Sequence, residues 1–279
     1  MDAKNLKLCH FNLCCNELPF LKQKLSFLYN NFSQIIMVDY DILNKCNSKD
    51  GSIEYIKKYP DPENKITLLT DFDPDKITEY YGLSVVEKQK MFAYGSKYIK
   101  DDIDILWATD LDEFFTESTI EKIGNLYLND QSLISVDQRH IGEFVYNQYN
   151  LFDFGQKFYI KPRITRHFKG KIYGHCNFDT YGKTIKFTDE YLYHFSFIGH
   201  DRCLHKLILY NKNNCKHQQD EWCEKYLNHL KRCEKYIDIN HPGAGAKKIK
   251  TIKYNGTFPD YINVEEMVSE LNNILTINN

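Results

Sequence analysis

No stretch of the 279-residue chain approaches the roughly 20 consecutive apolar residues of a membrane-spanning helix, so no membrane span is expected. The opening MDAKNLKLCHFNL lacks the charged, then apolar, then small order of a secretory leader, which points to a cytoplasmic protein. No charge of one sign dominates. Lys and Arg number 36 against 38 Asp and Glu, a net charge of -2, and this excludes the basic face of a nucleic-acid binder. A disulfide framework is also lacking. The nine cysteines are odd in number and scattered, which fits a reducing compartment. There is no G-x-x-x-x-G-K-[ST], no G-x-S-x-G and no G-x-G-x-x-G, so the common NTPase, hydrolase and dinucleotide-binding readings have no motif to stand on. Without an internal repeat or a low-complexity linker, one domain over residues 1–279 is the simplest organisation.

The residues present read as an α/β protein. Apolar strand patterns fall at 6–13, 33–39, 65–70 and 103–109, and helical patterns at 17–31, 50–58 and 82–99. In 17–31 the apolar positions Leu18, Leu21, Leu25 and Leu28 have helical spacing. Strands alternating with helices predict a Rossmann-like, mostly parallel sheet with helices on both faces. Such a sheet binds ligands at the carboxyl ends of its strands. The polar residues gather there: Asn16 and Glu17 after the first strand, Asp39 after the second, Asp71 after the third and Asp110 after the fourth. Each alone also reads as a solvated loop residue.

The composition shifts after about residue 115. Segments such as SLISVDQ, QKFYIKP and EYLYHFSF predict further strands, partly antiparallel. Residues 200–237 read as helical, 240–256 as a Gly- and Lys-containing loop and 264–275 as a terminal helix. The halves 1–115 and 116–279 are therefore expected to serve different parts of a substrate.

The segment ILWATDLDEFF, residues 105–115, carries the most chemistry. An apolar strand runs straight into Asp110-Leu111-Asp112-Glu113. If the segment stays extended, Asp110 and Asp112 point to one side and Leu111 to the core. Clustered carboxylates repel unless a cation sits among them. Hard oxygen ligands suit Mn2+ or Mg2+, which also bind phosphate oxygens. Cleavage of a sugar–diphosphate bond needs such an ion, because negative charge grows on the leaving nucleoside diphosphate. A helix-capping acid cluster is the other reading of the same residues.

The order Asn16-Glu17, Asp39, Glu87-Lys88-Gln89-Lys90 and Trp107-Ala108-Thr109-Asp110-Leu111-Asp112-Glu113-Phe114 resembles the GT-A glycosyltransferases, closest to their family 2-like and family 17-like groups. Tyr193-His194-Phe195-Ser196-Phe197 followed by Lys206-Leu207 extends the resemblance over roughly residues 6–210. The resemblance implies a metal-dependent, inverting transfer of a sugar from a nucleotide-sugar donor, UDP-linked, to a glycan or glycoprotein acceptor. It implies that Asn16, Glu17 and Asp39 line the nucleoside pocket, Asp39 meeting the base and Glu17 lying near the ribose. Lys90 stands where the family often has Arg and would touch phosphate. Asp110 would face ribose and metal, and Asp112 would bind the metal. His194 would complete the metal shell, or would be a strand histidine satisfied by a neighbour. For the catalytic base the candidates are Asp201 and Glu190; Asp201 reads equally as a helix N-terminal acid.

Three further constellations have ordinary explanations. Cys215, His217, Cys223, His229 and Cys233 fit no zinc spacing, and Cys223, Tyr226, Leu227, Leu230 and Cys233 follow one helix face. Arg163 and Arg166 form a small basic patch on a strand, suited to an acceptor, to phosphate or to solvent. Residues 241–248 read as a surface loop or as a lid with Lys247 and Lys248 over a diphosphate. Two other functions compete: a sugar nucleotidyltransferase, against which CCNELPF stands where that class has a Gly-rich loop, and a sugar-binding protein without activity.

Overall fold

The computed structural model describes residues 5–80, 85–145, 147–152, 163–175, 182–199, 202–203, 206 and 251–273. The chain divides into two compact units, Met1–Arg139 with Tyr159–Leu192, and His140–Phe158 with Tyr193–Asn279. Among the described residues, no helix is long and apolar enough to cross a membrane.

In the first unit the four apolar segments are strands β1 (Leu8–Cys14), β2 (Gln34–Asp39), β3 (Ile66–Leu69) and β4 (Ile105–Ala108). They lie in the order β3-β2-β1-β4, all parallel. Strands β1, β2 and β4 are buried at every position. That is why they read as continuous apolar runs rather than alternations. Helices α1 (Leu18–Asn31), α2 (Ser52–Lys58) and α3 (Val86–Ser96) alternate with them.

The two faces of β1 meet different partners, as the alternation of a strand requires. Phe11 stacks on Phe92 of α3 at 4.2 Å and lies beneath Gly95, which lets that helix close on the sheet. His10, one residue earlier, faces Phe32 at 4.9 Å and Phe115 at 5.9 Å, and Phe115 in turn meets Phe27 of α1. The sheet is therefore covered on both faces, as the strand–helix alternation predicts.

The remaining strands of this unit are antiparallel. Strand β8 (Ile164–Arg166) pairs with β4, and the first part of β6 (Leu133–Val145) pairs with β8. The short β5 (Glu113–Phe114) precedes helix α4 (Glu117–Asn129). Helix α4 has no counterpart among the sequence expectations. It starts in a capping box between Thr116 and Thr119 and presents Ile123 and Tyr127 to the core. Strand β9 (Lys183–Phe197) joins β6 through Ser135 Oγ and Thr184 Oγ1, 2.7 Å apart. The composition shift near residue 115 is not where this unit ends; residues 116–139 and 159–192 belong to it.

The second unit contains the ends of β6 and β9, strands β7 (Asn150–Phe152) and β10 (Thr251–Lys253), and helix α5 (Val264–Asn273). Strands β6, β7 and β10 are antiparallel neighbours. Phe144, Phe195, Tyr254 and Phe258 form its aromatic core, with Phe144 stacked on Phe195 at 4.7 Å. The stretch 240–256, expected to be a loop, thus holds β10 within its described part. The helical expectation for 200–237 falls almost wholly outside the described residues.

Candidate functional site

The sequence motif lies at the carboxyl end of β4, beside β1, where a parallel sheet presents its ligand edge. The segment does not stay extended. The Glu113 amide donates to the Asp110 carbonyl at 3.0 Å, closing a turn over 110–113. The Asp110 amide donates back to Glu113 Oε2 at 2.9 Å. The expectation that Leu111 faces the core holds, since it is buried. The expectation of two similarly presented carboxylates does not: the Asp110 side chain is 21% exposed, whereas Asp112 is buried, because a turn breaks the two-residue alternation.

A protein cation already stands among these acids. Arg163, just before β8, places Nη1 2.7 Å from Glu113 Oε2 and 3.5 Å from Asp110 Oδ2. His175 Nε2 lies 3.5 Å from Asp110 Oδ1, and the His175 carbonyl accepts from Gln89 of α3. Burial alone would raise the Asp110 carboxyl. The charge of Arg163, the hydrogen bond to His175 and the charge of Lys88 outweigh it and hold the group well below the usual carboxylate range. Asp110 is therefore ionised and partly open to solvent, which is the state that binds a hard cation.

Beneath the turn lies a buried polar chain. Lys24 of α1, fully buried, points Nζ at Thr109 Oγ1 (3.3 Å), the Asp110 carbonyl (2.9 Å) and the Glu113 carbonyl (2.5 Å). Desolvation lowers its ammonium to about 8, against the pull of Glu113, Asp112, Asp110 and Glu17. His10 Nε2 is 2.8 Å from the same Thr109 hydroxyl, and the Asn12 amide nitrogen is 2.7 Å from His10 Nδ1. The Asn12 amide thus orients the imidazole against Thr109. Burial first, and then the charge of Lys24, holds its pKa well below the ordinary value.

The residues expected at the nucleoside end are brought together, in a network of their own. Asn16 adopts a left-handed φ of 52° between β1 and α1. Its amide donates to Ser48 Oγ, the Glu17 amide to Ser52 Oγ and the Leu18 amide to Asp50 Oδ2. Asp39 is buried, and both its carboxylate oxygens accept from Ser48, one from the amide at 2.7 Å and one from the hydroxyl at 2.6 Å. Lys90 donates to the Pro74 carbonyl at 2.6 Å.

Two of the expected residues have other surroundings. Glu190 accepts from the hydroxyls of Thr116, Ser118 and Thr119 and from Lys122 at 2.7 Å. Burial would raise its carboxyl, but these donors pull it down to about 2. Glu190 is thus held as an anion at the start of α4. His194 belongs to the second unit, where Nδ1 lies 3.5 Å from Glu143 Oε1 and a ring nitrogen lies within 4.8 Å of one of His140. Two imidazoles at that separation suit a borderline cation such as Zn2+. Asp201, residues 241–248 and the cysteines at 215, 223 and 233 lie outside the described residues.

Sequence reasoning missed Lys24, His10, Asn12 and His175. Lys24 carried a signal: it is a charge at the position preceding Leu25 on the buried side of an amphipathic helix. His175 carried none.

No known family profile matches the chain, and no curated protein matches it. Among solved structures, 4-diphosphocytidyl-2C-methyl-D-erythritol synthase from Anaerococcus prevotii is similar at 11% identity, over 58% of this chain and 71% of that one, with a TM-score of 0.34. A likeness of that size carries no argument about chemistry.

Proposed function

We propose that the chain is a metal-dependent glycosyltransferase that takes a nucleotide-sugar donor, UDP-linked, and passes its sugar to a hydroxyl of a glycan or a protein. The observation that carries this reading is the ionised, partly exposed Asp110, with Asp112 two residues on, at the carboxyl end of a buried parallel strand. Asp110 and Asp112 would hold Mn2+ or Mg2+. The ion would offset the charge that grows on the departing nucleoside diphosphate.

The chain's own groups do the rest of the work in this reading. Arg163 and His175 keep Asp110 charged and fix its two oxygens. Lys88 adds positive potential at the same point, where a diphosphate would approach. Asn16 and Glu17 lie on the nucleoside side, while Asp39 acts there by fixing Ser48.

A sugar nucleotidyltransferase is the second reading, and the start of α1 weighs against it. A Gly-rich loop at that place would hold a triphosphate on free backbone amides. Here the amides of Asn16, Glu17 and Leu18 already donate to Ser48, Ser52 and Asp50.

The deciding experiment measures turnover and thermal stabilisation with UDP-, GDP- and CMP-sugars, with and without Mn2+, in the wild type and Asp112→Ala. A metal-dependent response to one donor, lost in the variant, is the expected result. Release of diphosphate from a nucleoside triphosphate and a sugar 1-phosphate would establish the nucleotidyltransferase instead. Stabilisation by free sugar alone would indicate a binding protein.

A further inference from the structure

The most unusual group in the first unit is a lysine with no access to solvent. Lys24 lies on α1 and is entirely buried. Burying an ammonium is unfavourable, and a methionine of similar length would fill the same space without that penalty. What only the ammonium supplies is three N–H donors radiating from one atom. It faces three oxygens: Thr109 Oγ1, the Asp110 carbonyl and the Glu113 carbonyl. The last two are the two ends of the turn that carries Asp110 and Asp112. The Asp110 carbonyl also receives the Glu113 amide, so one contact of Lys24 lies directly on the bond that closes the turn.

Thr109 is fixed from the other side by neutral His10, which Asn12 orients. Lys24 therefore ties α1 to the end of β4, where the backbone leaves that strand for the turn, and to β5 at Glu113. The ammonium stands beside two aromatic rings, with Nζ 5.5 Å from the centre of Phe114 and 5.4 Å from that of Phe115.

We propose that Lys24 is the positioning residue of the Asp110–Glu113 turn, its buried ammonium setting the directions in which Asp110 and Asp112 present their carboxylates. The inference rests on the metal–nucleotide reading of this site for its consequence, but the structural role is separable from it. Lys24 touches neither metal nor donor; it acts through the two carbonyls.

The test compares the wild type with Lys24→Met, Lys24→Gln and Lys24→Arg. Amide hydrogen exchange is followed over residues 109–115, and Mn2+ affinity is measured in the presence of UDP. The expected result for Lys24→Met is at least tenfold faster exchange confined to 109–115, with Mn2+ affinity at least tenfold weaker. Lys24→Arg, which keeps a cation and several donors, should restore part of both. Lys24→Gln retains two donors and stands in if the Met variant does not fold. Unchanged exchange at 109–115 in a folded neutral variant overturns the proposal. So does faster exchange spread over the whole unit, since that marks lost stability rather than lost position. If the wild type binds no Mn2+–UDP, the functional reading fails, while the exchange pattern still decides what Lys24 does to the turn.

Discussion

At the scale of single residues, charge balance in a confined space decides what is possible. Glu113 is fully buried, and Arg163 supplies its counter-charge at 2.7 Å. Replacing Arg163 with leucine would remove that counter-charge from a fully buried carboxylate. Removing one partner of a buried pair typically costs about 3–5 kcal/mol. Because the Arg163 side chain keeps 11% of its surface exposed, about 3 kcal/mol is the expected loss. Urea unfolding of Arg163→Leu against wild type measures it, and an unchanged midpoint would remove Arg163 from the account of the turn. His10 gives a second effect with a definite sign. Its folded pKa is depressed, whereas the unfolded chain takes up a proton near the ordinary value of 6.5. Below that pH the unfolded state binds the extra proton, so stability falls as pH falls. The urea midpoint should drop between pH 7.5 and 5.5, and less steeply in His10→Asn. Equal slopes in the two proteins would show that His10 is protonated without penalty.

At the scale of elements, the legible parts are those whose pattern is local. Strands β1, β2 and β4 are visible as apolar runs because both faces of the sheet are covered. Helix α1 is visible through Leu21, Leu25 and Leu28, all of them buried. Helix α4 has Ile120, Ile123 and Tyr127 at helical spacing, but its start is held by Glu190, more than 70 residues further along. The cation partners of the carboxylate turn were hidden for the same reason. Lys24 and Arg163 reach Glu113 across separations of 89 and 50 residues.

The Glu190 cap carries a pH dependence of its own. With its pKa lowered to about 2 from 4.5, its contribution is complete above about 4.5 and disappears as pH falls toward 2. Glu190→Gln should therefore destabilise the protein by about 1–2 kcal/mol at pH 7, as loss of a cap does, and by little near pH 2.5. Thermal unfolding at the two pH values checks this; an equal loss at both would mean that the carboxylate charge is not what holds α4. Gly95 tests the packing of α3. An added Cβ would stand 2.4 Å from Phe11 and 2.8 Å from Val38, in a sheet buried on both sides. Gly95→Ala should destabilise by up to about 2 kcal/mol, because an overpacking cost of about 1–3 kcal/mol outweighs the gain of about 1 kcal/mol in helix propensity. A variant more stable than wild type would show that α3 can lift from the sheet freely.

At the scale of the whole molecule, chain order and spatial order part company after α4. The change in composition near residue 115 invites a division there, yet the first unit takes up residues 159–192 as well. The reason lies in β4. Its one neighbour in the first 139 residues is β1, and its other edge pairs with β8, where Ile105, Leu106 and Trp107 face Arg166, Thr165 and Ile164. A fragment of residues 1–139 would keep all four parallel strands and the carboxylate turn. It would also expose the backbone edge of an entirely apolar strand, which templates pairing with other chains. It would lose Arg163, leaving Glu113 buried without its ion pair, and His175 beside Asp110. Such a fragment should associate and show no cooperative urea transition, although it contains the whole sequence motif. Sedimentation and near-ultraviolet dichroism of the fragment decide the matter. A monomer that unfolds cooperatively would mean that the parallel half holds the site unaided, and the argument from β8 and Arg163 would fall with it.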